Sequence, residues 1–252
     1  MTEPCGPLPP AFYAAGSNSS RRAWADWWVL LHAPYTLWHL SYVGVGAALG
    51  PQFSGVRLTA TALAFFLAVG LGAHALDELH GRPLRTSIPS PILIAVAVAS
   101  ITGAVALGIA GIHKVGPGLA VFIAVGVTLN CCYNLELFHG RLHNDVTFAA
   151  AWGAFPVLTA YYAQAETLRP VALAAAAFAF WLSAAQRALS TPARTLRRQV
   201  EAIEGTITYS DGRTEPISRS NLLAPLETAL KATTWSVVAL AIALIAYRIN
   251  AH

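Results

Sequence analysis

The sequence predicts an all-α integral membrane protein of about seven transmembrane helices, and three observations predict it. Of 252 residues, 56% are hydrophobic and only 11% are charged, where a soluble chain carries about a quarter charged residues. Mean hydropathy is +0.53. Apolar runs of about twenty residues, the length that crosses a bilayer, fall at 29–50, 57–76, 91–113, 115–136, 146–165, 168–189 and 228–248. Gly and Pro interrupt these runs at points that soluble helices avoid and bilayer helices tolerate.

Basic residues give the third observation. With seven spans, Arg21, Arg22, Arg82, Arg85, Arg141, Arg187, Arg194, Arg197, Arg198, Arg213, Arg219 and Lys231 share the N-terminal side, against Arg57, Lys114, Arg169 and Arg248 opposite. That bias places the N-terminus in the cytoplasm and the C-terminus outside, in a multi-pass protein of the cell membrane. Anionic lipid headgroups account for the net charge of +4 without any nucleic acid. Nothing in the sequence names a protein partner.

Residues 1–22, polar and rich in Pro, Gly and Ser, read as a loose cytoplasmic tail, and 23–252 as one membrane domain. Trp24, Trp27 and Trp28 fit an interfacial belt ahead of span 1. Asp145 reads as the N-cap of span 5, and His113 as a loop residue. Cys131 and Cys132, adjacent in span 4, read as packing residues, and Cys5 sits in the tail. Residues 200–225 read as a cytoplasmic loop holding a short β-hairpin between the last two helices. Asp211-Gly212 marks its turn, and the loop is placed to act as a lid.

Chemistry concentrates at two places. "AHALDELHGRPL", residues 73 to 84, closes span 2 with His74, Asp77, Glu78, His80 and Arg82; "YNLELFHGRLHND", 133 to 145, closes span 4 with Tyr133, Glu136, His139, Arg141 and His143. The topology puts both on the cytoplasmic side. On helices, His74, Asp77 and Glu78 share a face, as do Glu136, His139 and His143 if the helix continues through Gly140. His32, Tyr35, His39 and Tyr42 form a similar stripe on span 1, with His32 read as interfacial. Ionisable groups inside a bilayer are costly and face a cavity, a partner or an ion. Mixed imidazole and carboxylate sets suit Zn, Mn or Fe, and Glu136 with His139 has the Glu-x-x-His spacing of di-iron bundles. The expected metal ligands are therefore His74, Asp77, Glu78, His80, Glu136, His139 and His143, for one or two divalent ions. Asp77, Glu78 and Glu136 are the candidate catalytic groups. His39, Tyr42, Tyr133, Arg82, Arg141 and Arg187 are the candidate substrate contacts. Arg82, Arg85 and Arg141 are equally placed to meet lipid phosphate.

From about 29 to 190 the chain resembles the UbiA superfamily of intramembrane prenyltransferases. "APYTLWHLSYVGVGAALGP" is similar to that family's first helix and "AHALDELHGRPLRTSIP" to the end of its second. "CCYNLELFHGRLHNDVTFAAAWGAFPVLTAYYAQ" is similar to the end of its fourth helix and the helix that follows. The resemblance implies a helical bundle around a central cavity, a lipid-soluble isoprenoid-like substrate, and Mg held by two Asp-rich motifs. Here the first motif is reduced to Asp77 and Glu78. The second is missing, since span 6 carries no carboxylate between Trp181 and Arg198. Three readings result. The first is a redox metalloenzyme on this scaffold with iron at a His/carboxylate site. The second is a Mg-dependent prenyltransferase or terpene cyclase. The third is a non-catalytic binder of an isoprenoid or a metal.

Overall fold

The computed structural model describes residues 23–250; the tail at 1–22, with Cys5, Arg21 and Arg22, and the terminal 251–252 lie outside them. Helices α1 (Ala23–Leu31) and α2 (Ala33–Ala48) come first. There follow α3 (Gly55–Leu79), α4 (Ser90–Val115), α5 (Leu119–Asn134), α6 (Asp145–Ala165) and α7 (Pro170–Arg198). A two-stranded hairpin, β1 (Thr206–Thr208) and β2 (Thr214–Pro216), precedes α8 (Arg219–Asn250). The protein is thus mainly helical and has the makings of a multi-pass membrane protein. Five helices (α3, α4, α6, α7 and α8) are long and apolar enough to cross a membrane, and α5 is a shorter apolar helix.

Seven uninterrupted spans are therefore not what the described residues form. The expected first span breaks at His32, whose backbone is left-handed at φ 48° and ψ 53°. Pro34 stands in the first turn of α2 and cannot donate to the preceding turn. The Tyr35 amide donates to the His32 carbonyl at 2.8 Å, and the Leu31 carbonyl, left without it, accepts the Thr36 hydroxyl at 2.6 Å. At the other end of the sequence, two helices outrun their apolar runs. α7 continues nine residues past 189 to Arg198, carrying Pro192 within it, and α8 begins at Arg219 rather than 228, carrying Pro225. His113 belongs to the last turn of α4, not to a loop.

α2 is the central helix, packed on α6 and α8. Trp38 and Tyr42 of α2 pack with Val157 of α6, Ala179 of α7 and Val237 of α8. Glycine makes these approaches possible. A Cβ at Gly46 of α2 would collide with the Val157 backbone of α6, with the α-carbon at 2.9 Å. One at Gly153 of α6 would stand 2.5 Å from the Ala179 carbonyl of α7. Between helices already surrounded by apolar solvent, close backbone contact replaces the hydrophobic drive.

Two helices open into wider π turns, over Phe66–Ala73 in α3 and Ala150–Ala154 in α6. In α3 the Asn130 side-chain amide donates to the Ala68 carbonyl at 2.7 Å, an insertion that takes one acceptor from the helix. Such bulges concentrate at functional sites, and both face the cavities described below. The expected hairpin forms, with Ile207 opposite Glu215. Gly212 sits at φ 85° in its turn, and Arg213 holds the Asp211 carboxyl below its usual range. Both strands are fully exposed.

Candidate functional site: a polar cavity meeting an apolar one

The helix ends at His80, Asn134 and Arg198 enclose a polar cavity of about 440 Å³. α7 supplies one wall: Arg187, Thr191, Arg194, Thr195 and Arg198 all line it. Their spacing of four, three, one and three residues keeps all five on one helical face. His32, ahead of α2, joins Tyr35 and His39 of α2 and His74 and Asp77 of α3 in the lining. His80, Tyr133, Asn134, Glu136 and His143 close the end.

Most of these groups have a fixed partner. The His39 Nδ1–H donates to the Trp152 carbonyl at 2.6 Å, and His74 Nδ1–H to the Gly70 carbonyl at 3.1 Å. The His32 and His74 rings lie 5.6 Å apart. Tyr133 stacks on His143 at 4.4 Å and meets Trp152 edge-on at 5.8 Å, with its buried hydroxyl unpaired. Arg187 pairs with Asp145 at 2.9 Å and lies 5.0 Å over Phe148. Arg194 has one long hydrogen bond, to Thr191 at 3.4 Å, and Arg198 one to the Pro83 carbonyl at 3.1 Å.

A second cavity of about 390 Å³ lies alongside, with Ala60, Phe65, Val105, Phe122, Ile123 and Phe155 among its walls. Its lining is almost wholly apolar and extends to Arg57 and Lys114. Val69 and Trp152 line both cavities. They stand on the π turns of α3 and α6, which carry these side chains to the boundary.

Several residues singled out in the sequence are elsewhere. α5 ends at Asn134, and Glu136, Phe138 and His139 all take left-handed backbone before Gly140. Glu136, His139 and His143 therefore share no helical face, and the Glu-x-x-His reading is corrected: His139 is exposed and lines neither cavity. Glu78 is fully buried, and its carboxylate accepts the Leu84 amide at 2.9 Å and the Thr86 amide and hydroxyl at 2.8 and 2.9 Å. It folds the 84–86 loop and faces no ligand. Arg82 clamps the same loop through the Thr86 and Ile88 carbonyls and Ser90. Tyr42 is sealed in the core, where it accepts from the Ser183 hydroxyl. Arg141 is exposed outside the cavity. Asn144, not Asp145, caps α6, accepting the Thr147 amide at 2.9 Å. Cys132 is buried and Cys131 half-buried, both free thiols.

Of the seven expected metal ligands, the structure gathers Glu136 with His80 at 3.5 Å and with His143 at 3.8 Å. The His143 Nδ1 nearest Glu136 also meets the Tyr133 carbonyl at 3.2 Å, so it carries its proton there and offers no lone pair. Among the described residues no three His, Cys, Asp or Glu side chains are grouped to hold a metal ion. The seven-ligand site is corrected accordingly. Mg2+ held against phosphate takes one or two carboxylates together with phosphate oxygens and waters. Among the described residues Asp77 and Glu136 are the carboxylates that line this cavity. Glu136 lies against His80 and His143, and Asp77 lies within electrostatic reach of Arg187, Arg194 and Arg198, so the cavity offers that ion one free carboxylate among cations.

No family model matches the sequence, and no curated protein does. Among solved structures the chain is similar to a UbiA homolog from Archaeoglobus fulgidus bound to Cd2+. Identity is 16%, coverage 89% of this chain and 86% of that one, and the TM-score 0.49. Such a likeness concerns the course of the chain; what the cavities do follows from their own residues.

Sequence reasoning missed His32, Trp152 and Asn134 as cavity residues. The arginines at the end of span 6, Arg187, Arg194, Arg197 and Arg198, are legible in the sequence as groups able to meet phosphate charge directly, and all but Arg197 line the cavity. Trp152 carried no such signal.

Proposed function

We propose that the protein is an intramembrane, prenyltransferase-like protein for an isoprenoid-type amphiphile. The apolar chain of the substrate occupies the cavity lined by Phe65, Phe122 and Phe155, and its phosphate-bearing head occupies the polar cavity against α7. One observation carries this reading: a cationic cavity and an apolar cavity share the walls Val69 and Trp152. An amphiphile is the ligand whose two halves match two such neighbours. Removing its chain from water is favourable by about 25 cal/mol per Å², and guanidinium groups recognise phosphate through paired, charge-assisted hydrogen bonds. For transfer, the same arginines would hold the charge that grows on a departing head. Asp77, half-buried and without a hydrogen bond among the described residues, is the group placed to take a proton from an acceptor.

The sequence resemblance to the UbiA superfamily over residues 29–190 supports this reading. The redox-metal reading has no ligand set to rest on, and iron is not carried forward. The paucity of cavity carboxylates favours a carrier as the second reading. We assign the arginine-rich end to the cytoplasmic face, from the basic asymmetry of the sequence, and read 23–252 as one membrane domain.

Radiolabelled farnesyl diphosphate, supplied to the purified protein in lipid nanodiscs, serves as the probe. Saturable binding with release of diphosphate to a lipid-soluble acceptor supports transfer. Saturable binding without release supports the carrier, and no saturable binding overturns both.

A further inference from the structure

Among the described residues three arginines line the polar cavity, and one of them, Arg187, has a close ion-pair partner. Arg187 has its partner in Asp145 at 2.9 Å. Elsewhere Arg57 pairs with Glu166, Arg197 with Glu227 and Arg213 with Asp211. Arg194 and Arg198 form no ion pair among the described residues. Each is half-buried, four residues from the other, and lines the same face. Asp77 is the carboxylate within electrostatic reach of both, one negative charge against two guanidinium groups that repel one another. Such a pair persists where an anion completes it.

The carboxylates point the same way. Among the described residues Asp77 and Glu136 are the only ones that line the cavity, and Glu136 faces His80 and His143. Glu78, which neighbours Asp77 in sequence, spends both oxygens on the 84–86 loop. A divalent ion would find one free carboxylate, Asp77, and beside it the arginines that repel it.

Resting on the amphiphile reading above, we propose that Arg194 and Arg198, with Arg187 beside them, bind the phosphate-bearing head directly, with no divalent cation between protein and phosphate. The guanidinium pair supplies the charge that a metal would otherwise supply. Asp77, in the same cavity and within electrostatic reach of both arginines, then opposes the head by like charge; in a metal-bridged site it would hold it.

That difference gives the test. Farnesyl phosphate and farnesyl diphosphate are titrated into the protein in nanodiscs, with farnesol as the headless control, once with EDTA and once with Mg2+. Binding that is equal within about twofold in the two conditions is expected, with farnesol weaker by about tenfold or more. Arg194→Gln with Arg198→Gln should weaken both phosphates by about ten- to a hundredfold while leaving farnesol unchanged, and the unchanged farnesol affinity shows that the variant folds. Asp77→Asn should tighten phosphate binding in EDTA. Binding that appears only with Mg2+, or that Asp77→Asn abolishes, overturns the metal-free head site and leaves the amphiphile reading standing. No binding of any of the three probes in either condition overturns the amphiphile reading itself.

Discussion

Asp77 and Glu78, adjacent carboxylates near the end of α3, face different worlds: Glu78 lies fully buried under the Leu84 and Thr86 amides, and Asp77 lines the polar cavity. Successive helical positions are about 100° apart, so one neighbour turns toward the loop and the other toward the cavity. Their alanine variants should separate cleanly. Glu78→Ala strands two backbone amides and a hydroxyl, and should cost roughly 3 kcal/mol or more. Asp77→Ala removes no hydrogen bond and should change stability by less than about 1 kcal/mol. Thermal unfolding in detergent decides it; a larger loss for Asp77→Ala would mean the two roles are exchanged.

Helix contacts through glycine make a second prediction. Gly46→Ala and Gly153→Ala each drive a methyl into the backbone of the next helix. Each should destabilise by about 1–3 kcal/mol. Gly55→Ala meets nothing within 4 Å at the start of α3 and serves as the silent control. Equal melting temperatures for all three variants would contradict the close packing of α2, α6 and α7.

The hairpin is the third. It lies between α7 and α8, yet none of residues 206–216 lines the polar cavity. Replacing them by a Gly-Ser linker should therefore leave binding of farnesyl diphosphate within about twofold. A loss of tenfold or more would restore the hairpin as the lid that its position in the sequence suggested.

Orientation is the fourth. Arg82, Arg187, Arg194, Arg197 and Arg198 all stand at one end of the bundle, beside the polar cavity or the loop that closes it. Arg57 and Arg248 stand at the other, tied to Glu166 and the Pro51 carbonyl. A reporter fused after Asn250 should read as outside the cytoplasm. A cytoplasmic reading there would invert the assignment of the polar cavity.

The sequence by itself determined what depends on residues near in the chain. The long apolar runs that became α3, α4, α6, α7 and α8 were legible, because a bilayer demands about twenty apolar residues in a row and a helix satisfies its own backbone. So was the hairpin, whose turn needs only Asp211-Gly212. The two histidine-bearing stretches were rightly brought to one neighbourhood, where Glu136 meets His80. Only the tertiary structure decided what those groups do there. The break at His32, the end of α5 at Asn134 and the continuation of α7 to Arg198 shift side chains around helix axes, and a shift of one residue turns a side chain by about 100°. Sequence spacing could not show that Glu78 would be consumed by Thr86 and Leu84, or that Trp152, within an apolar stretch of α6, would wall both cavities. Such outcomes are set by contacts between helices far apart in the chain, where the direction of each side chain is fixed by packing and not by its neighbours in sequence.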